Sequence, residues 1–246
     1  MNILSTTVKR VTSTGIVRVL TYTRMSDEIR CAKSAFAGCQ FTEAMNKPLG
    51  FRISINDPVT VNMFPDYFKL GKAEYGYNLD AFIDLITDTT NNSETTVASR
   101  DSLFLSVIKC ILPHCVVHQN QSIPSSENNF AVSIAGALGL LGEQKVRNQT
   151  LAIELLKKTI CVPEFENVMP VGKNAVPAIA STGNSLAIYS VSVDSGSKQL
   201  MCTQVKSYNV NRHSERVEFT VDLFRIIMWM TGIAKPNKIG SLMPGT

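Results

Sequence analysis

Hydrophobic and polar positions alternate over residues 3–11 (ILSTTVKRV) and 15–24 (GIVRVLTYTR), and both stretches are rich in β-branched side chains. Flanking a Ser-Thr-Gly turn, they predict a β-hairpin. The period then lengthens. Ser26 suits an N-cap, Asp27 and Glu28 suit a first turn, and Ile29, Ala32, Phe36 and Cys39 recur at helical spacing until NKPLG at 46–50 ends the run. The apolar stripe of this helix is expected to cover the hairpin. FRISI (51–55) and VTVNMF (59–64) alternate on either side of Asn-Asp-Pro and are expected to pair. Asn78 then caps a short helix with Leu79, Phe82, Ile83 and Ile86 on one face, and the polar TDTTNNSETT at 87–96 reads as an exposed loop.

The middle of the chain reads as helical over about 100–112, 128–141 and 147–160, with Pro113 and Pro163 as stops. The first of these, DSLFLSVIKCIL, is apolar on nearly all faces, so it is expected to be the buried central helix. The last third returns to a period of two. SLAIYSVSV (185–193) and KQLMCTQVKSY (198–208) are joined by Asp-Ser-Gly-Ser, a hairpin signal, and VEFTV (217–221) adds a strand before a final helix through DLFRIIMWMTG (222–232). Strand and helix runs are segregated along the chain, which favours α+β over a parallel βαβ sheet. The expected fold is an N-terminal hairpin and helix, a central helical region, and a C-terminal antiparallel hairpin with a final helix. It forms one compact domain over 1–246, divisible at about 95 into a mixed α/β part (1–95) and a helical core with its hairpin (96–246), and residues 235–246 form a flexible tail.

Composition changes this picture only at the edges. A chain of 246 residues buries a sizeable core without covalent staples, and its six cysteines are spread thinly, so they read as reduced thiols. MNILSTTVKR has none of the regions of a signal peptide, and no apolar run reaches the length of about 18 residues that a membrane span needs. These features point to the cytoplasm. Charge is uneven: residues 1–50 carry seven Lys/Arg against three Asp/Glu, residues 51–100 carry four against seven, and residues 201–246 carry six against three. Basic ends and an acidic middle suit contact between copies or attraction to phosphate.

Candidate chemistry concentrates in KCILPHCVVH at 109–118, where Cys110, His114, Cys115 and His118 raise the question of a metal. On one continuous helix, residues 110 and 118 are separated by about 12 Å of rise, too far for one ion. A turn at Pro113 is needed to bring them together, and otherwise the cluster is a buried helix end followed by a strand or a second helix. Ser106-Val-Ile-Lys109 matches S-x-x-K without its companion motifs, and His213 sits in a polar loop with no evident nucleophile. Gly136, Gly139 and Gly142 lack the pattern of a phosphate-binding loop and read as close-packing positions in an apolar helix. Asp80, Asp84 and Asp88, four apart, form an acidic helix face.

Two features suggest partners. The final helix carries Phe224, Ile226, Ile227, Trp229 and Met230 and is followed by Lys235 and Lys238, a pattern suited to a membrane interface or a neighbouring subunit, or to burial over the C-terminal sheet. Lys9, Arg10, Arg18, Arg24, Arg30 and Lys33 give the N-terminal fifth a surface able to meet RNA or an anionic membrane. The expectation is a non-enzymatic, self-associating structural protein of viral matrix type that bridges an anionic surface or nucleoprotein. It needs no cofactor and no small-molecule substrate. The alternatives are an RNA-binding nucleocapsid or movement-type protein, and a metal-dependent enzyme using Cys110, His114 and His118.

Overall fold

The computed structural model describes residues 9–12, 15–18, 35–49, 58–59, 77–78, 94–112, 114–119, 130–147, 150, 153–154 and 162–233. Their centre is a six-stranded mixed sheet made of β5 (Cys115–Gln119), β6 (Phe130–Ile134), β7 (Ala137–Gln144), β8 (Val176–Ser181), β9 (Ser185–Val193) and β10 (Leu200–Asn209). Its spatial order is β10-β9-β8-β7-β6-β5. Every neighbouring pair is antiparallel except β7 and β8, which run parallel and are joined by a crossover that includes α3 (Val162–Val168). Helices beside such a sheet make the fold α+β in kind. Two short ladders stand apart from the main sheet: β1 (Lys9–Thr12) with β2 (Gly15–Arg18), and β3 (Pro58–Val59) with β4 (Tyr77–Asn78).

The largest departure from the expected pattern is at 128–141, read as a helix and found as the β6–β7 hairpin. Ala135 and Gly136 form its two-residue turn, both at positive φ (53° and 87°), as the twist of tight hairpins requires. Every residue of β7 is buried, so the strand shows none of the alternation that marks a half-exposed strand and its period misleads. The glycines are therefore not helix-packing positions. Gly136 is in the turn, and Gly139 is the extra residue of a β-bulge, since Val132 pairs with Leu140 and Ser133 with Leu138. Gly142 stands opposite Phe130, where an added Cβ would lie 1.8 Å from the ring.

Side chains from the two faces of the sheet build two cores. On one face Phe130, Val132, Leu140, Ile179, Leu186, Ile188 and Tyr208 pack beneath α2 (Glu94–Ile111) and α4 (His213–Thr231). On the other, Leu141, Val176, Ala178, Tyr189 and Val191 pack with Phe165 of α3 and with Ile153. Phe104 of α2 meets Phe130 and Phe219 edge-on, with ring centroids 5.8 Å apart in each case, which ties both helices to the sheet. Burying a large apolar side chain contributes about 1.5–3 kcal/mol, so these layers carry most of the stability.

Helix α4 begins at His213, which corrects two readings: VEFTV is helical and not a strand, and His213 opens a helix and does not sit in a loop. Phe219, Leu223, Phe224, Ile226, Ile227 and Met230 are all buried, and that tertiary gain overrides the β propensity of Val217 and Val221. The N-terminal helix is also modified. Residues 35–37 are helical, but the chain leaves the helix at 38–40, with Gln40 extended, before the four-residue α1 (Phe41–Ala44). Phe36, Phe41 and Met45 pack on the α4 core, with Phe41 edge-on to Trp229 at 5.8 Å. Asn78, read as a helix cap, pairs with Pro58 in the small ladder. FRISI, residues 26–34, the expected helix at 79–86 with Asp80 and Asp84, Asp88 and the tail 235–246 lie outside the described residues. Residues 150, 153 and 154 are helical within the expected 147–160 span, and α3, with Pro163 tolerated in its first turn, was not anticipated.

Candidate functional site

The Cys/His stretch straddles the end of α2 and the start of β5. The Cys115 amide donates to the Leu112 carbonyl at 2.9 Å, so the chain turns between Leu112 and Cys115. It turns into a strand. Cys115 is buried in the α4-side core with Val117 packed against it, while Val116 faces the opposite side. His114 is exposed in the turn, and His118 Nε2 lies 3.2 Å from Ser133 Oγ on the neighbouring strand. Cys110 falls in the last turn of α2. Among the described residues no group of three His, Cys, Asp or Glu side chains is placed to hold a metal ion.

The densest polar chemistry is elsewhere, in two clusters that apolar periodicity did not flag. In the first, Arg100 and Asp101 lie side by side on α2, each buried. Arg100 Nε donates to Asp101 Oδ1 at 3.2 Å, Nη1 to the Gly183 carbonyl at 3.2 Å, and Nη2 to Ser181 Oγ. Ser181 Oγ donates to Asp101 Oδ1 at 2.9 Å, and Gln144 Nε2 to Asp101 Oδ2 at 2.9 Å. Gln144 ends β7 and Ser181 ends β8, so the network pins α2 to the same end of the two parallel strands. Burial pushes the Asp101 carboxyl above the ordinary carboxylate range, against the opposing pull of Arg100, Ser181 and Gln144.

The second cluster joins β10 to α4. Buried Asp222 accepts from Lys206 Nζ at 2.8 Å, from the Tyr208 hydroxyl at 2.5 Å and from Arg225 Nη1. Arg225 Nε also donates to the Lys47 carbonyl at 2.9 Å, which carries the cluster to residues beyond α1. Burial, reinforced by the Asp222 carboxylate, pushes the Tyr208 phenol up. Both networks satisfy buried charges and fasten elements together. A charged pair inside an apolar run was the signal available for each, because a buried charge must be paired.

A third contact fastens the 35–49 segment. Lys173 Nζ donates to the carbonyls of Ala37 and Cys39 at 2.9 and 2.6 Å and stands 5.3 Å from the Trp229 ring centroid. Burial lowers its ammonium, partly offset by Cys39 and Glu43. Gln40 binds the same turn from the other side, with Nε2 donating to the Gly172 carbonyl at 3.2 Å and Oε1 accepting from the Asn174 amide at 3.0 Å.

The final-helix residues named as partner-contact candidates take the arrangement offered as the alternative, burial within the chain. Phe224, Ile226, Ile227, Trp229 and Met230 are each no more than 2% exposed, packed against their own chain. To touch a neighbour or a bilayer they would have to leave this core. Among the described residues no helix is long and apolar enough to cross a membrane. Of the expected anion-binding residues, Lys9, Arg10 and Arg18 lie on the β1–β2 ladder, with Lys9 directly opposite Arg18. Arg24, Arg30, Lys33, Lys235 and Lys238 lie outside the described residues.

Exposed apolar surface appears instead on the strands at the two ends of the sheet. Among the described residues the large exposed apolar side chains are Val116 (51%), Met201 (49%) and Val171 (40%), and the first two belong to β5 and β10. Neither periodicity nor charge marked these edges, because edge position depends on long-range pairing. Comparison with protein-family models, with curated proteins and with solved structures finds no match to this chain.

Proposed function

We propose that the protein is a non-enzymatic structural subunit that self-associates and bridges an anionic surface or nucleoprotein, as a viral matrix layer does. The observation that carries this reading is the placement of half-exposed Val116 and Met201 on the two outermost strands of the main sheet among the described residues. A sheet edge presents a row of unpaired backbone groups, and apolar side chains there favour pairing with another strand. The apolar final helix belongs to the subunit's own core in this reading, and the contacts between copies move to the sheet.

The anionic half of the reading draws on the β1–β2 ladder. Lys9 and Arg18 are register partners on this ladder, so two basic residues share one ladder position, a pattern suited to an anion. The same feature supports RNA binding as the second reading. Sedimentation of the full chain over a range of salt and protein concentrations, with co-purifying nucleic acid recorded, tests both. Concentration-dependent oligomers that pellet with anionic but not neutral vesicles are expected for the first reading. A steep loss of RNA affinity with salt, without vesicle binding, is expected for the second. A monomer that binds neither would overturn the proposal.

A further inference from the structure

We propose that Cys39 and Lys47 form an oxidation site, at which hydrogen peroxide joins Cys39 Sγ to Lys47 Nζ by a sulfur–nitrogen bond and so locks the 35–49 segment against Trp229. This chemistry does not depend on self-association. Cys39 is a buried cysteine whose Sγ donates to the Ala35 carbonyl at 3.5 Å, and Lys47 Nζ donates to the same oxygen at 3.1 Å. One carbonyl therefore holds a sulfur and an amine nitrogen side by side. A hydrogen bond from Lys47 to Glu43, with Nζ 3.1 Å from the carboxylate, and a second one to Cys39 hold the ammonium above its ordinary value of 10.5. Lys173 brings a second positive charge to the cysteine and donates to its carbonyl at 2.6 Å. Cysteines that react as thiolates sit in such electropositive settings. The Lys47 side chain is 32% exposed, so a small oxidant reaches the pair from its side.

The reaction takes two steps. The Cys39 sulfur attacks one peroxide oxygen and the O–O bond breaks. Two electrons pass from sulfur to peroxide, and the departing hydroxide takes the thiol proton to leave as water. The sulfenic acid so formed condenses with a neighbouring nucleophile, and a nitrogen gives a sulfenamide. Lys47 supplies that nitrogen: its ammonium gives one proton to the sulfenic hydroxyl, the S–O bond breaks as the S–N bond forms, and a second water leaves. Glu43 takes the remaining proton from the nitrogen. The cross-link falls between two anchored points, because Lys173 holds the Cys39 carbonyl and Arg225 Nε holds the Lys47 carbonyl at 2.9 Å. Between them α1 sets Phe41 edge-on to Trp229. Closing this short loop restricts its unfolded states, as a disulfide does.

Peptide mass spectrometry of the full chain tests this after hydrogen peroxide treatment of the native protein and alkylation of the remaining thiols. Lys47 precedes Pro48, so trypsin leaves residues 34–52 as one peptide that carries both residues and no other cysteine. This peptide is expected to be lighter than its reduced form by two hydrogens, to escape alkylation at Cys39, and to give no fragments between residues 39 and 47. Dithiothreitol is expected to restore it, since two thiols return the two electrons as a disulfide. The oxidised chain is expected to melt at a higher temperature than the reduced one, and K47R, which keeps the charge, is expected to lose both the lighter peptide and the gain in Tm. A Cys39 that stays alkylatable, or gains only oxygen, overturns the proposal. Fragments that place the new bond on a backbone nitrogen overturn the role of Lys47, and they do so in the wild type, whether or not K47R folds. A cross-linked chain with an unchanged Tm overturns the lock.

Discussion

Gly142 is small because the Phe130 ring occupies the space a side chain would fill. The two residues are cross-strand partners, and the ring lies over the glycine in place of a neighbouring side chain. Since an added methyl would lie 1.8 Å from a ring carbon, Gly142→Ala must displace Phe130, which is held edge-on by Phe104. The expected loss is about 3 kcal/mol, at the upper end of overpacking costs, seen as a lower denaturant midpoint. An unchanged midpoint would mean that the hairpin is not packed this way. The three glycines of GALGLLG show why this stretch was misread. Their even spacing suggested one helical role, but a turn, a bulge and a ring contact each require glycine for a different reason. Buried charges were more legible: Asp222 and Arg225 stand out in an apolar run, although their partners Lys206 and Tyr208 come from another element.

Helix α4 is held at its start by one carboxylate. Glu215 Oε2 accepts from the Asn209 amide at 2.6 Å, at the end of β10, and Oε1 accepts from Arg212 Nη1 at 2.9 Å. The backbone hydrogen bond, helped by Arg212, holds the Glu215 carboxyl below its ordinary value of 4.5. A depressed folded value contributes stability that is present above the ordinary value and is lost as pH falls through the folded one. Between about pH 6 and about pH 3, thermal melts are therefore expected to show a smaller drop in Tm for Glu215→Gln than for the wild type. Equal drops would exclude the contact. The C-terminal elements were partly legible: β9 and β10 lie where alternation and the Asp-Ser-Gly-Ser turn put them, because β10 is an exposed edge. The start of α4 was not, because Val217 and Val221 suit a strand locally and only the core beneath them selects the helix.

At the scale of the whole molecule, the α+β class followed from the order of the runs, while the mixed sheet did not. The pairing of β7 with β8 joins residues separated by the crossover through α3, and no local pattern encodes it. Layers on both faces leave Trp229 fully buried between α1, Lys173 and the core. As the chain's single tryptophan, it reports on the state of α4. Its emission is expected to be blue-shifted, shielded from acrylamide, and unchanged when anionic vesicles are added. Quenching that appears only with vesicles would mean that α4 leaves the core to bind lipid, against the edge-based reading of assembly. The parallel step also bears on how the chain is made. During synthesis, β5, β6 and β7 emerge as a local meander, yet β7 is buried along its whole length only after residues 176–181 have arrived beside it. Until then the ribosome-bound chain carries an apolar strand with one side unpaired, a state prone to aggregation and suited to chaperone binding.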